Sequence, residues 1–477
     1  MNKLKQLAGE TALYGLGSII PRFFNFFLVF IHTSVFQPED FGVITKLFAY
    51  VAVINTIFMF GMETAYFRFA NKKDEDESRV FNITLTTVFA ISGTLSLLLI
   101  ILSKQTANFL EVPGRPDLVI YLVLIMFIDA IVAIPFARLR FRKKALNFAV
   151  YKLANIAILM ILNVYLLKFS SFTPDISFVI IANVIANAFY LLFFFRTLIS
   201  WRPVYDHERS PIIFSYAYPI MLTGLAGMTN EMFSRITLEN WLPENFYPGK
   251  STKFALGVFG ACYRFAVLMN LAIIAFRYAA EPFFFSNASE KNSPQLFARV
   301  NHYFIIACCI LLLGVSINLD ILKHFLAKPA YWEGLHIVPI LLLAYLFLGV
   351  YYNISAWFKL TDKTYIGTLI TTVGAIITIA ANYFLIPLYG YEGSSWAALI
   401  CYGIMTVMCY VLGQKYYPVP YGVVSGLVYI VGTMLLIYAV NQFSFEGQVV
   451  ATSIHSVIIL IYLIVIFVVE KKDLTRV

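Results

Sequence analysis

Residues 118–137 read LVIYLVLIMFIDAIVAIPFA, twenty positions with one ionisable side chain, Asp129. At about 1.5 Å per residue such a run makes a helix roughly 30 Å long, the thickness of bilayer hydrocarbon. The run stops at Arg138, Arg140, Arg142, Lys143 and Lys144, a cation cluster suited to water and headgroups at a membrane surface. A single stretch of this kind would leave room for a soluble domain. Here the pattern recurs from one end of the chain to the other.

Comparable windows fall at 11–33, 43–66, 80–102, 118–137, 148–169, 176–195, 212–238, 254–276, 300–319, 336–358, 364–386, 394–412, 421–440 and 450–469. These predict an all-α polytopic membrane protein with 14 transmembrane helices. Composition points the same way. Of 477 residues 60% are hydrophobic, 17% aromatic and 13% charged, about half the charge of an ordinary soluble domain. The longest polar connections, 71–79, 200–211 and 287–294, are too short for a folded enzyme domain, so function must reside among the helices. Met1–Glu10 is polar and basic with no small-residue cleavage site after it, and the first run is read as a retained span.

Loop charge sets the orientation. Lys3, Lys5, Arg68, Lys72, Lys73, Arg79, the 138–144 cluster, Arg196, Arg202, Arg209, Arg277, Lys291, Arg299, Lys359, Lys363, Lys415, Lys471, Lys472 and Arg476 fall on one side. The other side holds Lys104, Arg115, Lys168, Lys250, Lys253, Lys323 and Lys328. This excess places both termini in the cytoplasm, with the chain crossing the membrane many times. A missed span would have inverted every later loop and erased the bias. The net charge of +9 is dispersed over these loops and forms no basic face for nucleic acid.

Five basic residues remain inside the spans. Lys46 and Lys152 lie near span ends, where snorkelling is the simpler reading. Arg22, Arg235 and Arg264, with the acids Glu63 and Glu231, lie deeper, and each costs roughly 2.5 kcal/mol or more unless it faces a partner, a cavity or water. Glu231 and Arg235 are four apart on one helix face and can pair. Asp129 sits near the middle of its span and is held in reserve as a group that could serve its own helix bundle. Pro21 before Arg22, and Pro219 with Gly224 in the seventh span, predict kinks. Arginine's planar fork suits phosphate oxygens. Three arginines with Asn25, Asn55 and Asn270 in the same four spans would suit an anionic headgroup that also carries hydroxyls.

Spans seven and eight echo spans one and two, each pair having an early proline helix, a proline-bearing linker and a Gly-Val start to the next span: Pro21, Pro38 and Gly42-Val43 against Pro219, Pro243 and Gly257-Val258. The echo predicts two six-span lobes, 1–205 and 206–415, with a helix pair, 416–477, outside the symmetry. Enzymatic signatures are missing. Pro248-Gly249-Lys250-Ser251-Thr252 resembles the end of a phosphate-binding loop, but position 244 is glutamate where glycine is required. The six histidines are scattered singly and the five cysteines lie in apolar segments without ligand spacing. No metal, cofactor or disulfide framework is expected.

The run Leu7-Ala8-Gly9-Glu10-Thr11-Ala12-Leu13-Tyr14-Gly15-Leu16-Gly17-Ser18 with Pro21-Arg22, then Pro38-Glu39-Asp40-Phe41-Gly42-Val43 and Gly61-Met62-Glu63-Thr64-Ala65-Tyr66-Phe67-Arg68-Phe69, resembles the bacterial polysaccharide flippases. These form the O-antigen branch of the superfamily that also holds lipid II flippases and multidrug and toxin extrusion transporters. The resemblance covers nearly all of the chain. It implies two six-helix lobes, alternating access and a cationic cavity for a polyprenyl-diphosphate-linked saccharide, in a protein that is not an enzyme. Arg22, Arg235 and Arg264 become candidate diphosphate contacts, with Asn25, Asn55 and Asn270 as further substrate-binding residues. Glu63 and Glu231 become candidates for ion coupling or gating, with H+ or Na+ as the ion in an antiporter-like cycle. A monomer in the lipid bilayer is the expected working form. The last helix pair is similar to that of the lipid II flippases, where it helps form a groove for the lipid tail. A lipid II flippase or a small-molecule multidrug exporter of the same fold is the alternative; a membrane-embedded glycosyltransferase would need acids or long loops that the chain lacks.

Overall fold

Each apolar run folds as helix, and the polar residues between runs supply the caps. Asp76 Oδ1 accepts the backbone N–H of Ser78 at 3.0 Å and Asp175 Oδ1 that of Ser177 at 2.8 Å, satisfying donors that a helix start leaves open. Pro38 and Pro116 stand in first turns, where a missing N–H costs nothing. The computed structural model describes residues 2–72, 75–288, 290, 292–443 and 447–474. Lys73, Lys291 and Arg476, counted in the loop-charge bias, lie outside the described residues.

The described helices are α1 (Asn2–Val35), α2 (Pro38–Met59), α3 (Met62–Ala70), α4 (Glu77–Ile101), α5 (Ser103–Phe109), α6 (Pro116–Phe141), α7 (Ala145–Val164), α8 (Ile176–Phe193), α9 (Phe195–Ile199), α10 (Arg209–Trp241), α11 (Thr252–Asn287), α12 (Ser293–Ile317), α13 (Leu319–Leu322), α14 (Val338–Ile354), α15 (Ala356–Leu360), α16 (Thr364–Tyr416), α17 (Val423–Asn441) and α18 (Gln448–Leu474). There is no strand among the described residues. Among the described residues thirteen helical stretches are long and apolar enough to cross a membrane, and α16 supplies two crossings. Its 53 residues would run about 80 Å if straight. At Gly390, φ 57° and ψ −136° leave the helical region, and a Cβ on Gly393 would meet the carbonyl oxygen of Leu385 at 2.2 Å. Cys401 Sγ contacts the carbonyl oxygen of Gly374 at 3.4 Å. The two arms are therefore antiparallel, a hairpin turned on glycine, and the fourteen crossings expected from hydropathy are met.

The helices gather into two compact units, 1–240 with 247–257, and 241–246 with 258–477. In the first unit α6 is the most enclosed span and packs its apolar surface against α2, α3, α4 and α8. α1 and α7 run parallel. A Cβ on Gly17 would lie 2.9 Å from Ala149 Cα, and further along His32 Nε2 and Asn163 Oδ1 are 2.8 Å apart. Pro21 and Pro219 are accommodated inside continuous helices. The second span breaks instead at Phe60 and Gly61, both with positive φ, so that α3 sets off separately with Phe60 stacked on Phe214 of α10 at 4.6 Å. The start of α2 meets the start of α11 through backbone alone: a Cβ on Gly257 would lie 1.8 Å from the Pro38 carbonyl oxygen.

In the second unit α14 packs along the α16 hairpin and α12 along α17. Trp357 Nε1 donates to the Cys409 carbonyl at 3.2 Å, and Thr406 Oγ1 to that of Phe347 at 2.8 Å. α18 is the least enclosed span, its Val449, Phe467 and Val468 bare for lipid, and it is pinned by Glu470, which meets His302 Nε2 at 3.0 Å and accepts the Tyr429 hydroxyl at 2.6 Å.

Candidate functional site

The register of α1 against α7 brings Arg22 beside the third turn of α7. Arg22 and Asn25, three apart on one face, are both exposed. Glu63 lies in the first turn of α3, positioned by the break at Phe60-Gly61, and is half-buried. It forms an ion pair with Arg140 at the end of α6, whose guanidinium lies 5.0 Å from the ring centre of Phe67 and 5.8 Å from that of Phe148.

Lys152 does not snorkel. It is half-buried, and its ammonium sits over the Phe136 ring at 4.2 Å and the Tyr190 ring at 5.1 Å. It feels the charges of Asp129, Glu63, Arg140 and Arg22. Asp129 Oδ1 accepts from Asn187 Nδ2 at 2.9 Å, and Asn187 Oδ1 accepts from Asn155 Nδ2 at 3.1 Å. The first unit therefore gathers Arg22, Glu63, Asp129, Arg140 and Lys152 into one electrostatic neighbourhood. Asp129 and Lys152 were undervalued in the sequence, and Arg140 was counted as a loop cation, because their partners are far along the chain. The neighbouring arginines of that cluster are tied down too, Arg138 and Arg142 both to Glu77, at 2.8 and 2.7 Å.

Of the remaining candidates, Arg235 and Glu231 are half-buried on α10, beside buried Asn230 and Ser234, and Arg235 Nη1 touches Met232 Sδ at 3.3 Å. Asn55 is half-buried on α2, its Oδ1 enclosed without a hydrogen-bond donor. Arg264 and Asn270 belong to the second unit, both half-buried on α11. Arg264 follows Tyr263, whose hydroxyl bonds that of Tyr345.

A second charged cluster, also in the first unit, lies at the opposite ends of these helices. Lys46, 2% exposed, reaches Glu239 at 2.7 Å and Glu111 at 3.3 Å. Lys253 lies 3.9 Å from Glu239, and Asn240 Nδ2 donates to Glu111 at 2.6 Å. The hydrogen bond shared with Glu239, aided by Lys46, holds the Glu111 carboxyl below the usual carboxylate range although burial opposes it. The snorkelling expected of Lys46 is overturned: the side chain has a buried acid within reach and no need of the surface. The signal available in the sequence was Glu239 itself, a second acid in α10, one residue past the seventh apolar window.

Residues 34–238 match the model of a family described as polysaccharide biosynthesis protein. No curated protein matches the chain. Among solved structures, the lipid II flippase MurJ in an inward closed conformation superposes with a TM-score of 0.73 at 14% identity, covering 98% of this chain and 100% of that one. An inward-facing multidrug resistance transporter of the MATE family gives 0.62 at 13% identity over 91% and 96%, and the Vibrio cholerae MATE transporter VcmN in its bent form 0.55 at 16% over 89% and 98%. The chain is a polytopic all-α membrane protein with the fold of these flippases and transporters, in agreement with the resemblance carried by its amino-terminal motifs.

Proposed function

We propose that this relative of the polysaccharide flippases moves a polyprenyl-diphosphate-linked oligosaccharide across the bacterial inner membrane by alternating access, for polysaccharide or O-antigen assembly. The observation that carries the reading is Arg22 with Asn25, exposed on one helix face next to intramembrane Lys152 and Arg140. Such a group favours a compact anion with hydroxyls. Arg22 offers a forked donor to phosphate oxygens, and Arg140 becomes available to the diphosphate when its pairing with Glu63 loosens. Arg235 and Arg264, with Asn55 and Asn270, are proposed to complete the headgroup contacts. No covalent chemistry and no cofactor is needed, so the protein is not an enzyme in this reading. It works as a monomer with both termini cytoplasmic, its lobes 1–205 and 206–415 and the pair 416–477 acting as separate parts.

The prenyl tail stays in lipid. A cavity of about 190 Å³ in the second unit, lined by Ile305, Val350, Tyr421, Gly426 and Ile430 among others, offers α17 a place to guide it. Transport is driven by H+ or Na+, with Glu63 or Glu231 changing occupancy; one charge crossing the membrane is worth about 2.3 kcal/mol per 100 mV.

Flipping of a polyprenyl-diphosphate saccharide in proteoliposomes tests the reading. Losing one charge-assisted contact, about 1.5–3 kcal/mol, should weaken binding roughly 10- to 100-fold in each of Arg22→Ala, Arg235→Ala and Arg264→Ala. Unchanged binding in all three, with folding intact, rejects the diphosphate reading. The MATE fold matches support a second reading, a small-molecule exporter, which would keep transporting after loss of the arginines as long as a carboxylate remained.

A further inference from the structure

Asp129 has no role in the headgroup contacts proposed above, yet a carboxyl in mid-span is costly and by default functional. Its surroundings differ from those of a structural ion pair. The cation facing it, Lys152, comes within 4.0 Å of no carboxylate among the described residues and rests over two aromatic rings instead, an attraction to the ring faces that holds an ammonium without neutralising a partner. The acid is served by an amide relay, Asn155 to Asn187 to Asp129, that links α7, α8 and α6. The residue is half-buried.

We propose that Asp129 is the proton-binding group of the transport cycle, with Lys152 as its electrostatic partner and the Asn155–Asn187 relay as its reporter to the neighbouring helices. This rests on the ion-coupled flippase reading and moves the coupling from Glu63 or Glu231 to Asp129. The ionised carboxylate accepts the Asn187 N–H. Taking up one proton from water turns an oxygen into a donor, weakens that bond and removes the negative charge that faces Lys152, so contacts among three helices change together. A proton suits the site better than a metal ion, because no group of three His, Cys, Asp or Glu side chains gathers there among the described residues.

The coupling runs through Lys152 of α7. Its charge acts on the acid, and it in turn feels Glu63 of α3, Arg140 of α6 and Arg22 of α1; α8 contributes Tyr190 and no charge. A diphosphate arriving at Arg22 draws on the ammonium that stabilises the carboxylate and so favours protonation of Asp129. By reciprocity protonation favours the diphosphate. Deprotonation on the other side of the membrane then releases it.

The test uses the full chain in proteoliposomes, without saccharide at first. Infrared difference spectra between acid and alkaline pH should contain a protonated carboxyl band that disappears in Asp129→Asn and persists in Glu63→Gln and Glu231→Gln. Lys152→Gln, which keeps the acid, should retain the band and shift its midpoint toward alkaline pH. A band unchanged in Asp129→Asn overturns the proposal, as does a midpoint indifferent to Lys152. With saccharide present, a pH gradient should accelerate flipping by the wild type and not by Asp129→Asn; stimulation kept in that variant also overturns the proposal. If the wild type flips no saccharide, the flippase reading fails, while the spectra still decide whether Asp129 takes the proton.

Discussion

Lys46 is 2% exposed, and the carboxyl nearest its ammonium, that of Glu239, is as well buried. Removing one member of such a pair strands the other. Lys46→Met should cost about 3–5 kcal/mol, seen as a lowered thermal midpoint in detergent, and Lys46→Met with Glu239→Leu should recover most of it. Charges outside the spans predict a pH effect. Arg115, with Nη2 at 3.0 Å from Asp117 and 2.8 Å from Asp175, holds the Asp175 carboxyl at about 2, with Ser177 helping and burial opposing. A depressed value means the contact stabilises above the ordinary carboxylate range and is lost as pH falls through about 2. Hydrogen exchange at the start of α8 should stay slow down to that point, and Arg115→Ala should raise the pH at which it accelerates. Sequence reading found Arg22 and Glu63 because an isolated charge in an apolar run is conspicuous by itself. It undervalued Lys46, Lys152 and Asp129, since their partners are brought in by tertiary packing and leave no local trace.

Hydropathy was sufficient for the number of crossings, since each apolar run had to become a helix to satisfy its backbone in lipid. Where helices break was less legible. Prolines at 21 and 219, the expected kink sites, lie inside helices that run on past them, and the left-handed residues Phe60 and Gly61, which carried no such expectation, interrupt the second span and position Glu63. The α16 hairpin turns on Gly390 and closes through Gly393. Gly393→Val would drive a branched side chain into the Leu385 carbonyl and should abolish recovery of monodisperse protein, whereas Gly403→Ala, with open space around it, should leave yield unchanged. Size-exclusion profiles of the two variants check this.

Across the whole molecule, the loop-charge bias predicts that single cysteines placed in the 200–211 connection react with a membrane-impermeant thiol reagent only after cells are opened; reaction in intact cells would reverse the orientation. The five native cysteines, all buried, should stay silent in that experiment. Contacts group α10 with the first unit, whereas the lobe boundary at residue 205 rests on the sequence echo between spans one and two and spans seven and eight. The α1–α7 partnership has a consequence for biogenesis. His32 and Asn163, 131 positions apart, meet only after α7 has been made, and at a synthesis rate of about 5–20 residues per second roughly 7–26 s pass before this contact can form. The contact that fixes the register of α1 against α7 is therefore set by the order of translation, and it closes only when the fifth span arrives.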